Sequence, residues 1–409
     1  MIATTSGRSG AAAGRPLRAG LGALALLVLA AACGSGAPQA ARPDTSPGLA
    51  SRATLLWPVS ATFISPSTGW LLAERCSTVA WPQCRSVVLR KTSDGGRQWS
   101  PATAPPASPG SGGQPGSGVA QVRFANAADG WAFGPGLWAT HNGGASWQQL
   151  NTQGQVVTSL EAADGRAVAV FATAATFQVY TSAVGSDTWQ PVPGASGPAF
   201  GISGEPDRNP QVAIEGSVAY VASSGETGND TPGSGVLLSG PADGSAPWQP
   251  LPVPCPRYNA LPMPVAAAPG ELVLGCGGDA AMDTSPKYVY RSTDGGRTWV
   301  TGPAPNPNTG ELPAAGFLDD IAVTPAGTIV ASGDNEAYFS WDNGTTWHTP
   351  TALAAAVIPS PYAGPVLVGM TTSEQGFALQ SGEVSSANGS SSIWMTYDAG
   401  HTWTRVPLT

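Results

Sequence analysis

One eight-residue pattern recurs along most of this chain and restricts its fold more than any other feature. Its clearest copy, residues 292–299, reads S-T-D-G-G-R-T-W, and we call the pattern the octet. The seven copies end at Trp99, Trp147, Trp189, Trp248, Trp299, Trp347 and Trp403. The copies that end at Trp189 and Trp248 are degenerate. The spacing averages about 51 residues, which indicates a propeller or a similar array of repeats.

Each octet lies between two short apolar runs, which predicts a strand, a turn and a second strand. Side chains of Asp, Ser and Thr can hydrogen-bond the turn backbone, and paired glycines adopt the positive φ of tight hairpins. The closing Trp enters the second strand as a large apolar anchor. We expect these octet positions to be structural. They are Asp94, Trp99, Asn142, Trp147, Trp189, Trp248, Ser292, Asp294, Gly296, Thr298, Trp299, Asp342, Trp347, Asp398 and Trp403.

The octet resembles the Asp-box, or BNR repeat, of bacterial sialidases, sortilin-type receptors and photosystem II assembly factors. The resemblance covers nearly all of the chain after the first fifty residues. It implies an all-β fold in which each octet is the hairpin between the third and fourth strands of a propeller blade. It also implies that the octets are structural and lie on the face away from binding sites.

Residues 53–409 are therefore predicted to form a β-propeller of seven four-stranded antiparallel blades, since each repeat holds four short apolar runs. Six blades are the alternative if a degenerate repeat is not a blade. The run Leu55-Leu56-Trp57 is placed to close the ring against the last blade. Charged residues make up only 11 % of the chain, against about 25 % in ordinary globular proteins. The 53 Gly and 39 Pro residues favour short strands and turns over helices.

Residues 1–33 are predicted to be a lipoprotein signal peptide. Arg8, Arg15 and Arg18 precede an apolar run, residues 21–29, that is too short to span a bilayer. Small residues then lead to Cys33, which resembles the lipidated Cys of a bacterial lipobox, although Leu29 falls one position early. An ordinary cleaved signal peptide or a first-pass anchor is the alternative. Residues 34–52 read as a flexible linker. We expect a lipid-anchored protein on the outer side of the cytoplasmic membrane.

Charge and cysteine content narrow the range of partners. The signal segment removes three Arg and no acid, so 15 basic and 26 acidic residues remain, a net charge near −11. Such a chain would repel nucleic acid.

Apart from Cys33, the cysteines are Cys76, Cys84, Cys255 and Cys276. Four Cys allow three pairings, and closeness in sequence favours Cys76–Cys84 and Cys255–Cys276 in an exported protein. A metal site is the alternative.

Loops between the second and third strands, and between blades, lie opposite the octets in the predicted fold and carry its irregular sequence. The tentative binding-face residues are Trp81, Arg257, Tyr258, Asp279 and Asp283. Trp81 suits a partner or glycan contact, or it packs on its own disulfide loop. Tyr258 is the nearest counterpart of a sialidase tyrosine, and the two acids are the nearest counterpart of a calcium site. A packed Tyr and solvated acids are the simpler interpretation.

No catalytic set is evident. The Arg-Ile-Pro segment that marks the first sialidase arginine does not occur, nor does a nucleophile elbow or a phosphate-binding glycine loop. We therefore predict no catalytic residue, no cofactor and no metal. The leading hypothesis is a monomeric, non-enzymatic scaffold that binds an unidentified protein or glycan on the loop-rich face. One alternative is a carbohydrate-active propeller, a sialidase-like glycoside hydrolase or a lectin. Another is an assembly factor for a membrane protein complex.

Overall fold

The computed structural model describes residues 54–77, 84–110, 118–199, 210–223, 235–255, 261–268, 270–277, 285–301, 312, 318–333, 336–350, 363–382 and 392–408. These residues form seven antiparallel sheets, which we number as blades 1 to 7 in chain order.

Blade 1 contains β1 (Thr54–Phe63), β2 (Gly69–Ser77), β3 (Cys84–Thr92) and β4 (Ser100–Ala102). Blade 2 contains β5 (Gln121–Phe124), β6 (Gly130–Phe133), β7 (Leu137–Thr140) and β8 (Gln148–Gln149). Blade 3 contains β9 (Val156–Ala163), β10 (Arg166–Ala172), β11 (Thr176–Ala183) and β12 (Gln190–Pro198). Blade 4 contains β13 (Gln211–Glu215), β14 (Val218–Ser223), β15 (Val236–Pro241) and β16 (Gln249–Pro250).

Blade 5 contains β17 (Leu261–Ala268), β18 (Glu271–Gly277), β19 (Lys287–Ser292) and β20 (Val300–Thr301). Blade 6 contains β21 (Asp320–Val323), β22 (Ile329–Gly333) and β23 (Glu336–Ser340). Blade 7 contains β24 (Ala363–Met370), β25 (Gly376–Gly382), β26 (Ser392–Thr396) and β27 (Thr404–Pro407).

The prediction of a seven-bladed all-β propeller is confirmed. Within each blade the strands pair in chain order, so that every sheet is an antiparallel meander. In blade 6 the fourth strand is reduced to one bridge, in which the backbones of Phe339 and His348 exchange two hydrogen bonds of 2.8 Å. Both degenerate octets belong to complete blades, blades 3 and 4, which excludes the six-bladed alternative.

The hydrophobic core is divided among the seven seams between neighbouring blades, because each blade packs on both of its faces. In blade 2, Trp131 and Phe133 of β6 pack toward blade 3, whereas the intervening Ala132 packs toward blade 1. Side chains alternate across a strand, so a sheet covered on both faces needs apolar residues at every position. Strands β6 and β7 are accordingly buried throughout.

Blade 1 closes the ring against blade 7 without sharing a strand with it. The predicted run Leu55-Leu56-Trp57 does not form a separate closing strand, because it belongs to the inner strand β1 of blade 1. Leu56 is buried in the seam with Leu379 and Ile393 of blade 7. Every described blade is built from one continuous stretch of chain, so no strand is exchanged across this seam.

Candidate functional site

Each well-formed octet is a hairpin held by its own side chains. In residues 292–299 the Ser292 hydroxyl donates to the Asp294 carboxylate at 2.7 Å and accepts the backbone N–H of Gly296 at 2.8 Å. Asp294 also accepts the backbone N–H of Thr298 at 2.9 Å and its hydroxyl at 2.6 Å. Gly295 and Gly296 take φ values of 72° and 84°, which favour glycine. These hydrogen bonds lie within one turn and hold it closed.

Four other octets repeat the network, and the degenerate pair does not. The central acceptors are Asp94, Asn142, Asp342 and Asp398, each bonded to a backbone N–H four residues later. Hydrogen bonds from Thr298 and Ser292 hold the pKa of the Asp294 carboxyl well below its usual range. Hydrogen bonds from the Thr346 backbone and hydroxyl lower the pKa of Asp342 to about 2. These carboxylates therefore accept the hydrogen bonds that hold their own turns.

The octet turns and the turns between first and second strands lie on one side of the ring, which we call the octet face. The backbone N–H of Gly95 donates to Ser67 of its own blade at 2.8 Å, and Gly295 donates to Gly270 at 2.8 Å. A Cβ at Gly95 would stand 2.7 Å from the carbonyl oxygen of Pro66. The two turns of a blade therefore support each other.

Several octets also accept a hydrogen bond from the preceding blade. Their carbonyl oxygens point back across the seam, where a side chain of the previous blade donates to them. The donor–acceptor pairs are Trp70 Nε1 to Gly143 at 3.3 Å, Arg291 Nη2 to Gly344 at 2.9 Å, Trp341 Nε1 to Ala399 at 2.7 Å and Tyr397 OH to Gly95 at 3.0 Å. The octet face is thus tied together blade by blade. The sequence analysis did not find these donors, because they sit at variable positions before or inside the octet.

The closing tryptophans occupy related sites with different hydrogen bonds. Trp147 and Trp299 each donate from Nε1 to a carbonyl at the outer end of the preceding blade, Thr103 at 2.8 Å and Pro252 at 2.9 Å. Trp403 instead donates to Gly400 in its own octet, at 3.0 Å. All seven are buried or half-buried. The shared feature is the apolar packing rather than one N–H partner.

The opposite side, which we call the loop-rich face, carries the connections between second and third strands and between blades. The predicted disulfides Cys76–Cys84 and Cys255–Cys276 are both formed there. Glu74 lies beside Cys76 and Cys84, but the sulfur atoms are bonded to each other, which argues against a metal. Five predicted binding-face residues lie outside the described residues: Trp81, Arg257, Tyr258, Asp279 and Asp283. Cys33 also lies outside them.

Three charged side chains on the first strands of blades 2, 3 and 6 interact with one another. Arg123 of β5 pairs with Glu161 of β9, with 2.6 Å between Nη2 and Oε1. Desolvation raises the pKa of Glu161 although Arg123 opposes it, and 29 % of the Glu161 side chain still meets solvent. This combination is typical of a channel wall, where protein surrounds a group that water reaches through an opening.

The third charge, Asp320, enters from the opposite side of the ring. Its carboxylate accepts the backbone N–H groups of Ile321 and Val368, both at 2.9 Å. Burial raises the pKa of Asp320 to about 6, and the charges of Arg123 and Glu161 both act on it. Blade 6 lies opposite blades 2 and 3, so groups that interact across this span must face the channel. None of the three was predicted from the sequence. These residues could have been found as charged residues on first strands, because the chain contains few charged residues.

The described residues hold no helix long and apolar enough to cross a membrane.

The chain was compared with known proteins. No protein-family model and no curated protein matches it. Among solved structures, YCF48 bound to a D1 peptide is 20 % identical, with a TM-score of 0.51 over 84 % of this chain and 94 % of that one. A PL25 ulvan lyase bound to its saccharide is 12 % identical, with a TM-score of 0.51 over 84 % and 92 %. The propeller domain of the Trilobed protease from Pyrococcus furiosus, described as having an open velcro topology, is 8 % identical, with a TM-score of 0.50 over 86 % and 95 %. At these identities the likeness shows the β-propeller fold.

Proposed function

We propose that this protein is an extracytoplasmic lipoprotein whose propeller is a non-enzymatic scaffold for a protein partner on its loop-rich face. The observation that carries the proposal is the structural difference between the two faces. The octet face is closed by side chains that bond neighbouring turns, whereas the loop-rich face holds the longer connections and both disulfides. Binding residues are commonly placed on loops that a rigid frame supports.

The likeness to YCF48 supports this choice of partner class. That protein shares the fold over most of both chains, and its structure was solved with a bound D1 peptide. We carry over only the idea that a single-domain propeller of this size can receive a peptide. An assembly factor for a membrane complex is the narrower form of the proposal. We also propose that the octets are Asp-boxes, as their Ser–Asp–Gly–Thr network suggests.

Export and lipidation remain proposals, supported by different observations. Two disulfides between described cysteines suit an oxidising compartment. The small residues before Cys33 suit lipidation at that residue. If Cys33 carries the lipid, Cys33→Ser releases the protein from the membrane fraction into the soluble fraction. A Cys33→Ser variant that stays in the detergent phase with the wild type would contradict lipidation at Cys33.

Site-specific photo-crosslinking in native membranes tests the binding face. Arg75 at the end of β2 and Ala174 between β10 and β11 are exposed on the loop-rich face. Ser93 and Thr345 are exposed octet residues and serve as matched controls. We expect one discrete protein adduct from a crosslinker at Arg75 or Ala174, and none from the two controls. Equal adducts from both faces, or adducts from the octet face alone, would reject the proposed surface.

A carbohydrate-active propeller is the second candidate, favoured by the likeness to the PL25 ulvan lyase. Purified protein is assayed on a panel of glycosides and anionic polysaccharides, and by glycan array. Turnover or saturable glycan binding would replace the protein scaffold with this candidate. Crosslinked protein adducts without either activity would support the scaffold.

A further inference from the structure

Two ion pairs between described residues cross the seam between blades 2 and 3, and a third lies within blade 2. Arg123–Glu161 crosses the seam at the channel, and a histidine, His141, crosses it on the octet face. By contrast, Trp341 and Tyr397 tie blades 6, 7 and 1 through neutral donors. Contacts across the seam between blades 2 and 3 therefore depend on the protonation state of a histidine, whereas the titratable group that crosses the seam between blades 6 and 7 is the Asp320 carboxyl.

His141 is the second residue of the blade 2 octet, and its ring lies between two carboxylates. Nδ1 is 2.7 Å from Asp129, in the turn between β5 and β6 of the same blade. Nε2 is 2.8 Å from Asp187, in the turn between β11 and β12 of blade 3. Only the imidazolium form can donate from both nitrogens, since neutral imidazole has one donor and one acceptor. The geometry therefore requires a charged ring for both bonds to exist.

Few other charged groups face His141. Asn126 donates to the second oxygen of Asp129 at 2.9 Å and is neutral. From blade 1, Lys91 approaches Gly143 of the same octet and lies over the Trp70 ring, 4.8 Å from its centroid. The remaining charged residues on the blade 3 turn, Asp164 and Arg166, are directed to blade 4. Asp164 lies near Gly216, and the charge of Arg166 acts on Asp243.

We propose that His141 is an acid-closed latch between blades 2 and 3, closed when its ring is protonated and open when it is neutral. Loss of the proton converts one of the two nitrogens into an acceptor that faces a carboxylate. In the neutral tautomer protonated at Nδ1, the bond to Asp129 is kept and the bond from Nε2 to Asp187 is lost, which releases the turn of blade 3 that carries Asp187 from blade 2. The ring itself stays closed at this seam, because Arg123–Glu161 and the bond from Gln121 Nε2 to the Thr158 carbonyl remain.

The sign of the pH dependence follows from the direction of the shift. The hydrogen bonds that the His141 ring donates to the Asp129 and Asp187 carboxylates raise the pKa of His141 above its ordinary value. The folded protein therefore holds this proton more tightly than the unfolded chain does. The stability that it contributes is complete below the ordinary histidine pKa and is lost as the pH rises through the raised one. Acidification closes the latch.

NMR titration of the full-length protein tests the latch directly, because the chain has only three histidines. His348→Gln and His401→Gln assign the signals. We expect the His141 ring to titrate above the ordinary histidine pKa. In Asp187→Asn, the His141 midpoint should move down toward that ordinary value. Asn tolerates the positive φ of 53° at position 187, so the turn should keep its shape.

Thermal unfolding supplies a second readout. Wild type should exceed Asp187→Asn in Tm by about 2 °C at pH 5.5, and the difference should vanish at pH 8.5. Substitution of Asp243, an exposed acid of the next blade, is the matched control and should give no such pH-dependent difference. A His141 midpoint at or below the ordinary histidine pKa, or one that Asp187→Asn leaves unmoved, would overturn the proposal.

Discussion

The hydroxyl of Tyr397 donates a hydrogen bond to the carbonyl oxygen of Gly95 at 3.0 Å, joining residues 302 positions apart. Gln375 donates to the same oxygen at 3.1 Å, and the guanidinium of Arg97 lies 4.1 Å from the centroid of the Tyr397 ring. These contacts connect the last blade to the first on the octet face. Because no strand is shared across this seam, they supplement the apolar packing around Leu56 and Leu379.

Removing the Tyr397 hydroxyl should weaken the seam between blades 7 and 1. Tyr397→Phe keeps the ring over Arg97 and deletes one hydrogen bond, which typically costs about 1 kcal/mol. Adding Gln375→Ala leaves the Gly95 carbonyl without either donor, so the double variant should lose more than the sum of the single ones. The free energy of unfolding in denaturant measures both.

Tyr180→Phe is the matched control for that experiment. Tyr180 is half-buried and packs beside Phe171, away from the closing seam. We expect its substitution to change stability by less than about 0.5 kcal/mol. A Tyr397→Phe variant as stable as Tyr180→Phe would show that the seam is held by packing alone.

The octet carboxylates should set the acid limit of stability. Hydrogen bonds from Thr346 lower the pKa of Asp342 from its ordinary value to about 2. A depressed carboxyl pKa contributes stability that is present above the ordinary value and lost as the pH falls toward the lowered one. Between about pH 4 and pH 2, the free energy of unfolding should therefore fall less steeply for Asp342→Asn than for wild type.

The Asn142 octet shows why this substitution should be tolerated at neutral pH. There an amide oxygen accepts the Ser146 backbone at 2.9 Å and the Thr140 hydroxyl at 3.0 Å, as Asp342 does in its own octet. Asp342→Ala removes these acceptors and serves as the comparison, with a lower Tm at every pH. If wild type and Asp342→Asn lost stability equally steeply at acid pH, the lowered pKa of Asp342 would not contribute to stability as predicted.

Asp320 should make the fold less stable as the pH rises. Burial raises its pKa to about 6, so the folded state retains a proton that the unfolded chain has lost. That contribution to stability is complete below the ordinary Asp pKa and disappears as the pH passes about 6. Between pH 4 and pH 7, wild type should lose stability more steeply than Asp320→Asn, measured as the free energy of unfolding at each pH.

Only the change of the unfolding free energy with pH is informative in that comparison. The absolute stability also changes, because the amide of Asp320→Asn replaces a carboxyl group that accepts two backbone N–H groups. Asp342→Asn is a suitable control, because Asp342 is already ionised throughout this range. Equal slopes for wild type and Asp320→Asn would show that Asp320 is ionised in the folded protein at pH 4.

Trp299 should contribute more to stability through its apolar packing than through its hydrogen bond. It packs with Leu251 and Tyr290 in the seam between blades 4 and 5, and Nε1 reaches Pro252 at 2.9 Å. Trp299→Ala should cost about 3 kcal/mol, in the range for emptying an aromatic site. Trp299→Phe, which retains most packing, should cost about 1 kcal/mol. Chemical denaturation distinguishes these values, and an unchanged stability in Trp299→Ala would show that the indole is not packed.

The repeat alone predicted seven blades and the place of each hairpin, and the complete sheets of blades 3 and 4 excluded the alternative of six. Ser292, Asp294, Gly296 and Thr298 act on one another within one turn, so their spacing contains all the information that the hairpin needs. The pairing of Cys76 with Cys84 was accessible for the same reason, since the two residues directly face each other on neighbouring strands. Interactions between residues close in sequence leave a pattern that can be read from one chain.

The seams and the channel were decided only by the tertiary structure. His141 and Tyr397 occupy the same octet position, yet one bonds the Asp187 carboxylate and the other the Gly95 carbonyl. Their spacing in sequence indicates neither partner, because each depends on which blade comes next around the ring. Asp320 meets the field of Arg123 and Glu161 only after seven sheets close around one axis. The octets determined the ring by local chemistry, whereas the ionisable contacts arose from closure, which brings distant segments together.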